Sequence, residues 1–498
     1  MTQTGQLLLG ADEQGLPIGH LLRFANRHGL IAGATGTGKT VTMQRLVEAF
    51  SDAGVPVFAA DIKGDFCGVA AAGQPKGKIA ERIASMPWLA HTPQAYPVSM
   101  WDVYGETGHP LRTTISDMGP LLLGNLLELT DSQQAILYLA FQVADREGLL
   151  LLDLKDLKAL LNHFREQPDV LGDDRALYTT QSANALQRKL AMLEQQGGEL
   201  LFGEPALQLD DILRVDRDGR GRIHMLDASR LVHQAPRIYA TFLLWLLAEL
   251  FEQLPERGDA DKPVLALFFD EAHLLFKGTP QALRDRLEQV VRLIRSKGVA
   301  VFFVTQSPAD LPDAVLAQLG MRIQHGLRAF TAKEQKSLRA VADGFRPDPK
   351  MDTLKVLTEL GIGEALYGGL EAKGTPSVVR RVSIAPPQSR VGPLDDAERA
   401  DLVSRSPLLG YYEKAFDRVS AYEMLAERAE QQAQQTQDAP DEAVVKTKKT
   451  ATNSTAGGVA DALGGIAGQV YKSTLRQAVN QISRQIVRGI LGSLMGKR

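Results

Sequence analysis

The sequence predicts an α/β fold built around a mostly parallel sheet. Three observations lead to this prediction. Short apolar runs alternate with segments of helical spacing in residues 28–61 and again in residues 222–305. A glycine-rich turn directly follows the first apolar run, and the apolar run 264–269 ends in two acidic residues. Strands that alternate with helices in this way are typical of parallel sheets, because parallel neighbours need a crossover connection.

Residues 28–61 contain the first two predicted strands. The apolar run Leu30–Ala32 enters the glycine-rich turn, and a second apolar run, Val55–Ala60, ends in charged residues and glycine. Between them, apolar residues recur at helical spacing at Val41, Leu46, Val47 and Phe50. This segment therefore predicts a strand, a helix and a parallel second strand that is buried on both faces.

The strand pattern returns near Arg222 and continues for about a hundred residues. The elements predicted there are a strand in GRIHMLDAS, a helix over Ile238–Phe251, a strand over Val264–Phe269, a charged helix over Gln281–Lys297, a strand over Val299–Val304 and a short strand over Met321–Leu327. Their alternation extends the predicted parallel sheet.

Composition and pattern divide the chain into six segments. We expect 1–104 to be the first part of the α/β core, 105–215 a helical insertion, 216–395 the second part of the core, 396–430 a helical extension, 431–460 a linker and 461–498 a tail. The insertion is predicted to be helical because its apolar clusters contain few β-branched residues. The linker is rich in Gln, Ala, Lys and Thr and has almost no large apolar residues, which favours a flexible segment.

The tail predicts a basic amphipathic helix. After Asp461 the chain has no acidic residue, and basic side chains stand between apolar residues at Leu475, Val479, Ile482, Ile486, Ile490 and Leu494. The preferred interpretation is that this helix docks on the protein's own body or on a sister subunit. The alternatives are a protein partner, an anionic membrane surface and nucleic acid.

Composition excludes several classes of protein. The chain has 498 residues, 44% of them hydrophobic and 23% charged, with a net charge of −3, so it is not disordered throughout, collagen-like or a disulfide scaffold. The single Cys67 excludes an internal disulfide and a zinc site built on thiolates. The N-terminus lacks a signal-peptide pattern, and no apolar run approaches the ~18–20 residues that span a bilayer. A cytoplasmic protein without an integral membrane segment is expected.

The glycine-rich turn fits a phosphate-binding loop. Gly33, Gly38, Lys39 and Thr40 match the spacing G-x-x-x-x-G-K-[ST], between a predicted strand and a predicted helix. The glycines let backbone N–H groups curl around a phosphate at a helix N-terminus. Lys39 is expected to reach the β- and γ-phosphates of ATP, and Thr40 to hold Mg²⁺. The other predicted nucleotide contacts are Thr35, Gly36, Thr37 and Val41. The alternative is a glycine-rich turn with an exposed lysine.

The acidic pair Asp270-Glu271 ends the strand Val264–Phe269 and looks like a Walker B motif. Asp270 is predicted to bind Mg²⁺ through water, and Glu271 to orient and deprotonate the attacking water. The alternative is an ordinary pair of acids at the end of a strand. His273 either couples this site to a conformational change or caps the following helix.

Further polar residues follow neighbouring strands. Gln306 is expected to sense the γ-phosphate, or else to be a turn residue before Pro308. Asp61 and Asp65 either orient water or metal or form a turn around Gly64. The candidates for an arginine finger, which acts on a neighbouring subunit's nucleotide, are Arg292, Arg295 and Arg328; the alternative for each is a solvated helix face.

Four motifs in this order carry a resemblance to a known family: GATGTGKT, DIKGD, FFDEAH and VTQSP. The chain resembles the HerA/FtsK branch of P-loop ATPases, in particular bacterial HerA-like proteins of the YjgR type. The resemblance covers roughly residues 5–390 and the stretch RQIVRGILG near the end. It implies a RecA-like core, ATP hydrolysis, a hexameric ring and movement along DNA. It also implies that Gln306 senses the γ-phosphate and that Arg295 is the trans-acting arginine.

One departure from that family concerns the β-barrel domain that HerA-type helicases carry ahead of the loop. Here the loop begins at Gly33, so we expect this barrel to be absent or reduced to a fragment. The predicted function is that of an ATP hydrolase using ATP and Mg²⁺, acting as an oligomeric motor on DNA. The alternative is an ATP-driven switch or assembly factor that acts on protein partners, for example through the tail, with no DNA translocation.

Overall fold

The computed structural model describes residues 5–258, 260–277, 279, 281–329 and 331–437. The predicted tail and all but the first residues of the predicted linker lie outside these ranges. Within them the strands are β1 (Gln6–Ala11), β2 (Pro17–Leu21), β3 (Gly29–Ala32), β4 (Val57–Asp61), β5 (Val98–Asp102), β6 (His109–Pro110), β7 (Ile223–Asp227), β8 (Leu265–Phe269), β9 (Val299–Thr305), β10 (Met321–His325), β11 (Glu364–Gly368) and β12 (Arg380–Ile384).

These strands form one sheet in the order β2-β1-β12-β11-β10-β3-β9-β8-β4-β7-β5-β6. From β10 to β6 every pair of neighbours is parallel. The pairs from β2 to β10 are antiparallel. The predicted mostly parallel α/β fold is therefore confirmed, but the antiparallel section was not predicted.

The α-helices of the described residues lie between and after these strands along the chain. They are α1 (Lys39–Asp52), α2 (Lys78–Ala84), α3 (Ile115–Leu126), α4 (Asp131–Glu147), α5 (Leu154–Glu166), α6 (Thr180–Leu193), α7 (Glu199–Leu201), α8 (Leu209–Ile212), α9 (Ser229–Gln234), α10 (Pro236–Gln253), α11 (Gln281–Ile294), α12 (Asp313–Leu316), α13 (Ala332–Asp343), α14 (Thr353–Glu359), α15 (Asp396–Ser404) and α16 (Ala421–Gln437). Among the described residues, no helix combines the length and apolar character needed to cross a bilayer.

Helix α1 packs on the middle of the sheet through an aromatic cluster. The ring of Phe50 lies 5.4 Å from Phe302 and 6.0 Å from Phe268, and the last two rings stack at 4.7 Å. All three side chains are fully buried. Burying each contributes roughly 1.5–3 kcal/mol of hydrophobic stabilisation. This cluster fixes α1, and with it the loop that precedes α1, against β8 and β9.

The described chain divides into two compact units. One comprises the residues up to Glu128 together with Met192–Phe416, and it contains the whole sheet. The second comprises Leu129–Ala191 and, among the residues after Phe416 that the structure describes, Asp417–Gln437. In this second unit the buried Asp156 of α5 accepts a hydrogen bond from the backbone N–H of Tyr422 in α16 at 3.0 Å. Helix α16 ends at Gln437 and so includes the first residues of the predicted linker.

Candidate active site

Four neighbouring parallel strands bring the predicted site residues to one edge of the sheet. These strands stand in the order β3-β9-β8-β4, and all run in the same direction. Their carboxyl ends therefore share an edge, which is where ligands bind in open α/β sheets. The residues that follow them are the loop from Gly33, the side chain of Gln306, the acids Asp270 and Glu271, and the segment from Ile62.

The glycine-rich turn connects β3 to α1, as predicted. Gly33, Gly36 and Gly38 have φ values of 154°, 79° and 109°, which L side chains rarely adopt. A Cβ on Gly33 would also lie 2.5 Å from the Cβ of His325, whereas a Cβ on Gly36 would meet no atom within 4 Å. Gly33 is therefore required both by backbone conformation and by close packing on β10.

Lys39 is the first residue of α1 and is 7% exposed. Its Nζ donates to the carbonyls of Gly33 at 2.7 Å and Ala34 at 3.0 Å, so the side chain curls back over the loop. Burial lowers the pKa of Lys39, and the nearby Lys63 lowers it further. Thr40 and Val41 follow in the first helical turn, whose N–H groups have no partner within the helix. This turn presents positive charge and N–H donors together, which suits an anion.

Beneath the loop lies His325, a residue that the sequence analysis treated only as part of a strand. Its Nδ1 lies 2.9 Å from the carbonyl oxygen of Glu364 and its Nε2 lies 2.9 Å from the hydroxyl of Thr42. A carbonyl can only accept, so Nδ1 donates and Nε2 accepts from Thr42. Burial lowers the pKa of His325 to about 4. The neutral imidazole thus ties α1 to β10 and β11 directly under the loop.

The acidic pair follows β8. Asp270 and Glu271 are each 8% exposed, and Asp270 Oδ1 accepts the backbone N–H of Glu271 at 2.9 Å. Glu271 has a φ of 43°, a left-handed conformation that costs a non-glycine residue roughly 1–2 kcal/mol. Burial raises the pKa of Asp270. Burial also acts to raise the pKa of Glu271, but the hydrogen bond and charge of Lys63 outweigh it and lower that pKa.

Lys63 is a residue that the sequence analysis did not single out. Its Nζ lies 3.0 Å from Glu271 Oε1 and 3.7 Å from Asp270 Oδ2, and its side chain is 41% exposed. Burial acts to lower the pKa of Lys63, but the two acids outweigh it, so the pKa is raised. The only signal in the sequence was a basic residue just past a strand end, in the motif DIKGD.

The structure favours the turn-forming alternative for Asp61. Its carboxylate accepts backbone N–H bonds from Lys63 at 3.1 Å, Gly64 at 2.8 Å and Phe66 at 2.9 Å. Burial raises the pKa of Asp61 to about 6, and the charge of the half-buried Asp65 adds to this rise. Asp61 thus holds the backbone of the segment that carries Lys63.

Two further side chains reach Glu271. Gln306, which follows β9, lies with its Nε2 3.5 Å from Glu271 Oε2, and His273 Nδ1 lies 3.4 Å from the same oxygen. Thr305 Oγ1 donates to Asp310 at 2.8 Å and anchors the turn after Gln306. Gln306, predicted as the sensor, and His273 therefore both lie next to Glu271, predicted as the base.

The three candidate arginines are exposed, and two of them lie at the opposite end of the strands from the acidic pair. Arg292 is near the end of α11, and Arg295 begins a short 3₁₀ turn that leads into the amino end of β9, at the opposite edge of the sheet from Gln306. Arg328 follows β10 and so lies at the edge of the sheet that carries the loop. Arg292 and Arg295 therefore lie at the opposite end of the strands from the loop of their own chain.

The parallel strands and the loop between β3 and α1 define the class as a RecA-like P-loop NTPase fold. A family model described as "Helicase HerA-like C-terminal" matches residues 6–498. The chain belongs to this HerA-like family, and the resemblance drawn from the four motifs is confirmed.

One solved structure supports the same fold, and two others are similar to this chain at lower TM-scores. The bacterial conjugative coupling protein TrwBdeltaN70, in an unbound monoclinic form, matches with a TM-score of 0.50 and 14% identity over 78% of this chain and 91% of that chain. VirB4 of Thermoanaerobacter pseudethanolicus matches with a TM-score of 0.47 and 17% identity over 77% and 97%. The plasmid coupling protein TrwB in complex with ADP and Mg²⁺ matches with a TM-score of 0.48 and 15% identity over 77% and 90%. A comparison with curated protein sequences found no match.

Proposed function

We propose that this chain binds ATP together with Mg²⁺ and hydrolyses the nucleotide at the edge of the sheet formed by β3, β9, β8 and β4. The observation that carries the proposal is the convergence of one loop lysine, Lys39, with two buried acids, Asp270 and Glu271, and with Gln306 beside Glu271. Phosphoryl transfer asks a protein mainly for positioning and for charge neutralisation, and these residues supply both.

Each residue has its own role in this proposal. Lys39 and the N–H groups at the start of α1 hold the phosphates, because they combine a buried cation with unpaired donors. Thr40 and Asp270 supply the hydroxyl and carboxylate oxygens that Mg²⁺ prefers, so the residues present fit this ion. When bound, Mg²⁺ neutralises charge that develops on the phosphate oxygens. Glu271 orients the attacking water and accepts its proton, and Gln306 senses the γ-phosphate through its contact with Glu271.

The proposal includes self-association, with a hexameric ring as the working arrangement. Arg295 is exposed at the edge of the sheet opposite its own loop, which suits a finger that reaches a neighbouring subunit's nucleotide. The basic segment 461–498 is proposed to dock on the protein itself or on a sister subunit. A cytoplasmic location is also proposed, since Cys67 has no second cysteine to pair with.

We further propose that ATP hydrolysis drives movement along DNA. Membership of a family described as helicase HerA-like supports DNA as the substrate, as does the shared fold with a conjugative coupling protein. The test is steady-state ATP hydrolysis by the full chain with and without duplex and single-stranded DNA, at two salt concentrations. A several-fold stimulation that weakens at high salt is expected, because contacts to phosphates release counterions. A rate that DNA leaves unchanged would contradict the motor and favour a switch or assembly factor acting on protein partners.

A further inference from the structure

The ammonium group of Lys63 lies at the carboxylates of Asp270 and Glu271, the two groups to which the proposed function assigns metal binding and activation of water. Its ammonium lies against Oε1 of Glu271 and close to Oδ2 of Asp270, while Gln306 lies against the other oxygen of Glu271. The roles assigned to the acids, metal binding and activation of water, require these same oxygens. Lys63 therefore competes with Mg²⁺ and with the attacking water for the carboxylate oxygens of Asp270 and Glu271.

The backbone that carries Lys63 is held in place on two sides. Asp61 binds three of its N–H groups, and Arg399 of α15 donates to the carbonyl of Gly64 at 3.4 Å and to Asp227 at 3.1 Å. Lys63 has a long, flexible side chain that is 41% exposed, whereas the side chains of the two acids, taken without their backbone atoms, are each only 10% exposed. Movement of the Lys63 side chain is therefore the simplest way to uncover the acids.

Charge gives a reason for that movement. Mg²⁺ bound by Asp270 would bring a second positive group to the carboxylate that lies 3.7 Å from the Lys63 ammonium, and like charges repel strongly in a partly buried site. In the described structure the positive charges of Lys39 and Lys63 balance the negative charges of Asp270 and Glu271.

We propose that Lys63 is a positioning residue that restrains the acidic pair, and that its ammonium must leave Asp270 and Glu271 before the bound nucleotide is hydrolysed. This inference rests on the proposed function, since it assigns a restraint to the same site. It predicts that Lys63 opposes the binding of a magnesium nucleotide and slows basal turnover.

The test is the variant Lys63→Met, which removes the charge and keeps most of the apolar stem. Binding of ADP is measured by calorimetry with Mg²⁺ and without it, and basal ATP hydrolysis is measured alongside. We expect Mg·ADP to bind about five- to tenfold more tightly and kcat to rise several-fold. ADP without the metal is expected to bind no more tightly than it does to the unchanged chain, because an ammonium near the phosphates is then lost without relief of repulsion.

Two further variants serve as controls. Lys63→Arg keeps a positive charge and is expected to show less than half of the gain in Mg·ADP affinity. Lys336→Met removes an exposed lysine from α13 and is expected to change neither binding nor turnover. Thermal unfolding of each variant establishes that it is folded.

The outcomes separate the inference from the proposed function. If a folded Lys63→Met variant binds Mg·ADP no more tightly, or hydrolyses ATP more slowly, the restraint is overturned and the proposed ATPase stands. If the unchanged chain binds no nucleotide with or without Mg²⁺, the proposed function fails and the restraint fails with it.

Discussion

Gln306 lies with its Nε2 3.5 Å from Oε2 of Glu271, although 35 residues separate them along the chain. The contact arises because β8 and β9 pair in parallel, with Phe269 opposite Phe303, so that the residues after each strand meet at one edge. The side chain proposed to sense the γ-phosphate is thus in contact with the side chain proposed to activate water. Substitutions of these two residues should therefore affect turnover more than nucleotide binding.

Replacing Glu271 by Gln is expected to keep nucleotide binding and to trap ATP. The amide keeps the shape of the side chain but cannot accept a proton from water, so kcat should fall by about 10²–10⁴-fold. Binding of a fluorescent ATP analogue and single-turnover hydrolysis measure the two effects separately. Normal hydrolysis by this variant would show that Glu271 is not the base.

Replacing Gln306 by Ala is expected to lower kcat by about 10²-fold with little change in KM, because it removes one donor that is proposed to act at the reacting phosphate. Steady-state kinetics over a range of ATP concentrations measure this separation of kcat from KM. A rise in KM at constant kcat would instead assign Gln306 to ground-state binding.

Replacing Lys39 by Ala is expected to weaken ATP binding by about 100-fold, since the proposed charge-assisted contact of this buried lysine with phosphate is lost. Calorimetry with ATP and Mg²⁺ measures the affinity. Lys336→Ala on α13 removes an exposed lysine and provides the matched control. Equal affinities of the two variants would contradict the phosphate-binding role of the loop.

Two glycines of the loop offer a matched pair. Gly33→Ala places a Cβ 2.5 Å from the Cβ of His325, so the loop or β10 must shift, and we expect a loss of stability of about 1–3 kcal/mol together with weaker ATP binding. Gly36→Ala meets no atom within 4 Å, so its cost is limited to backbone strain of about 1 kcal/mol. Urea unfolding of both variants tests this order, and a larger loss for Gly36→Ala would refute the packing argument.

The buried histidines predict that the protein loses stability in mild acid. His28 lies between α11 and β9, where its Nε2 donates to the carbonyl of Val291 at 2.8 Å and its Nδ1 accepts from the N–H of Val301 at 3.1 Å. Burial lowers the pKa of His28 from 6.5 to about 4. Between these values the unfolded chain binds the extra proton, so the free energy of unfolding falls as the pH falls.

For His28 alone this loss is about 2 kcal/mol between pH 7 and pH 5. The difference between the free energies of unfolding at pH 7 and pH 5, measured with urea, should therefore be smaller by about that amount in His28→Gln than in the unchanged chain. His233→Gln replaces an exposed histidine on α9 and should leave the difference unchanged. An equal pH dependence in all three proteins would rule out a neutral, buried His28.

Local patterns in the sequence were enough to predict much of this protein. The mostly parallel α/β fold followed from the spacing of apolar residues, because strands and helices bury one face or one stripe with a regular period. The loop around Lys39 and the acids after β8 followed from residue types at fixed spacing, since a phosphate and a metal ion need particular donors close together in the chain. The rule that ligands bind at the carboxyl ends of parallel strands then led to the prediction of Gln306 as a γ-phosphate sensor, whereas its contact with Glu271 was seen only in the structure.

Contacts between distant segments were decided only by the tertiary structure. The antiparallel pairing of β1 with β12 joins residues more than 370 positions apart, as with Gly10 and Ile384, and no local period encodes such a partner. The ion pair of Lys63 with Glu271 and the position of His325 under the loop depend on which way each side chain points once the strands are aligned. Periodicity assigns a residue to an element and a face, whereas the direction and the partner of a polar side chain are set by packing across the whole sheet.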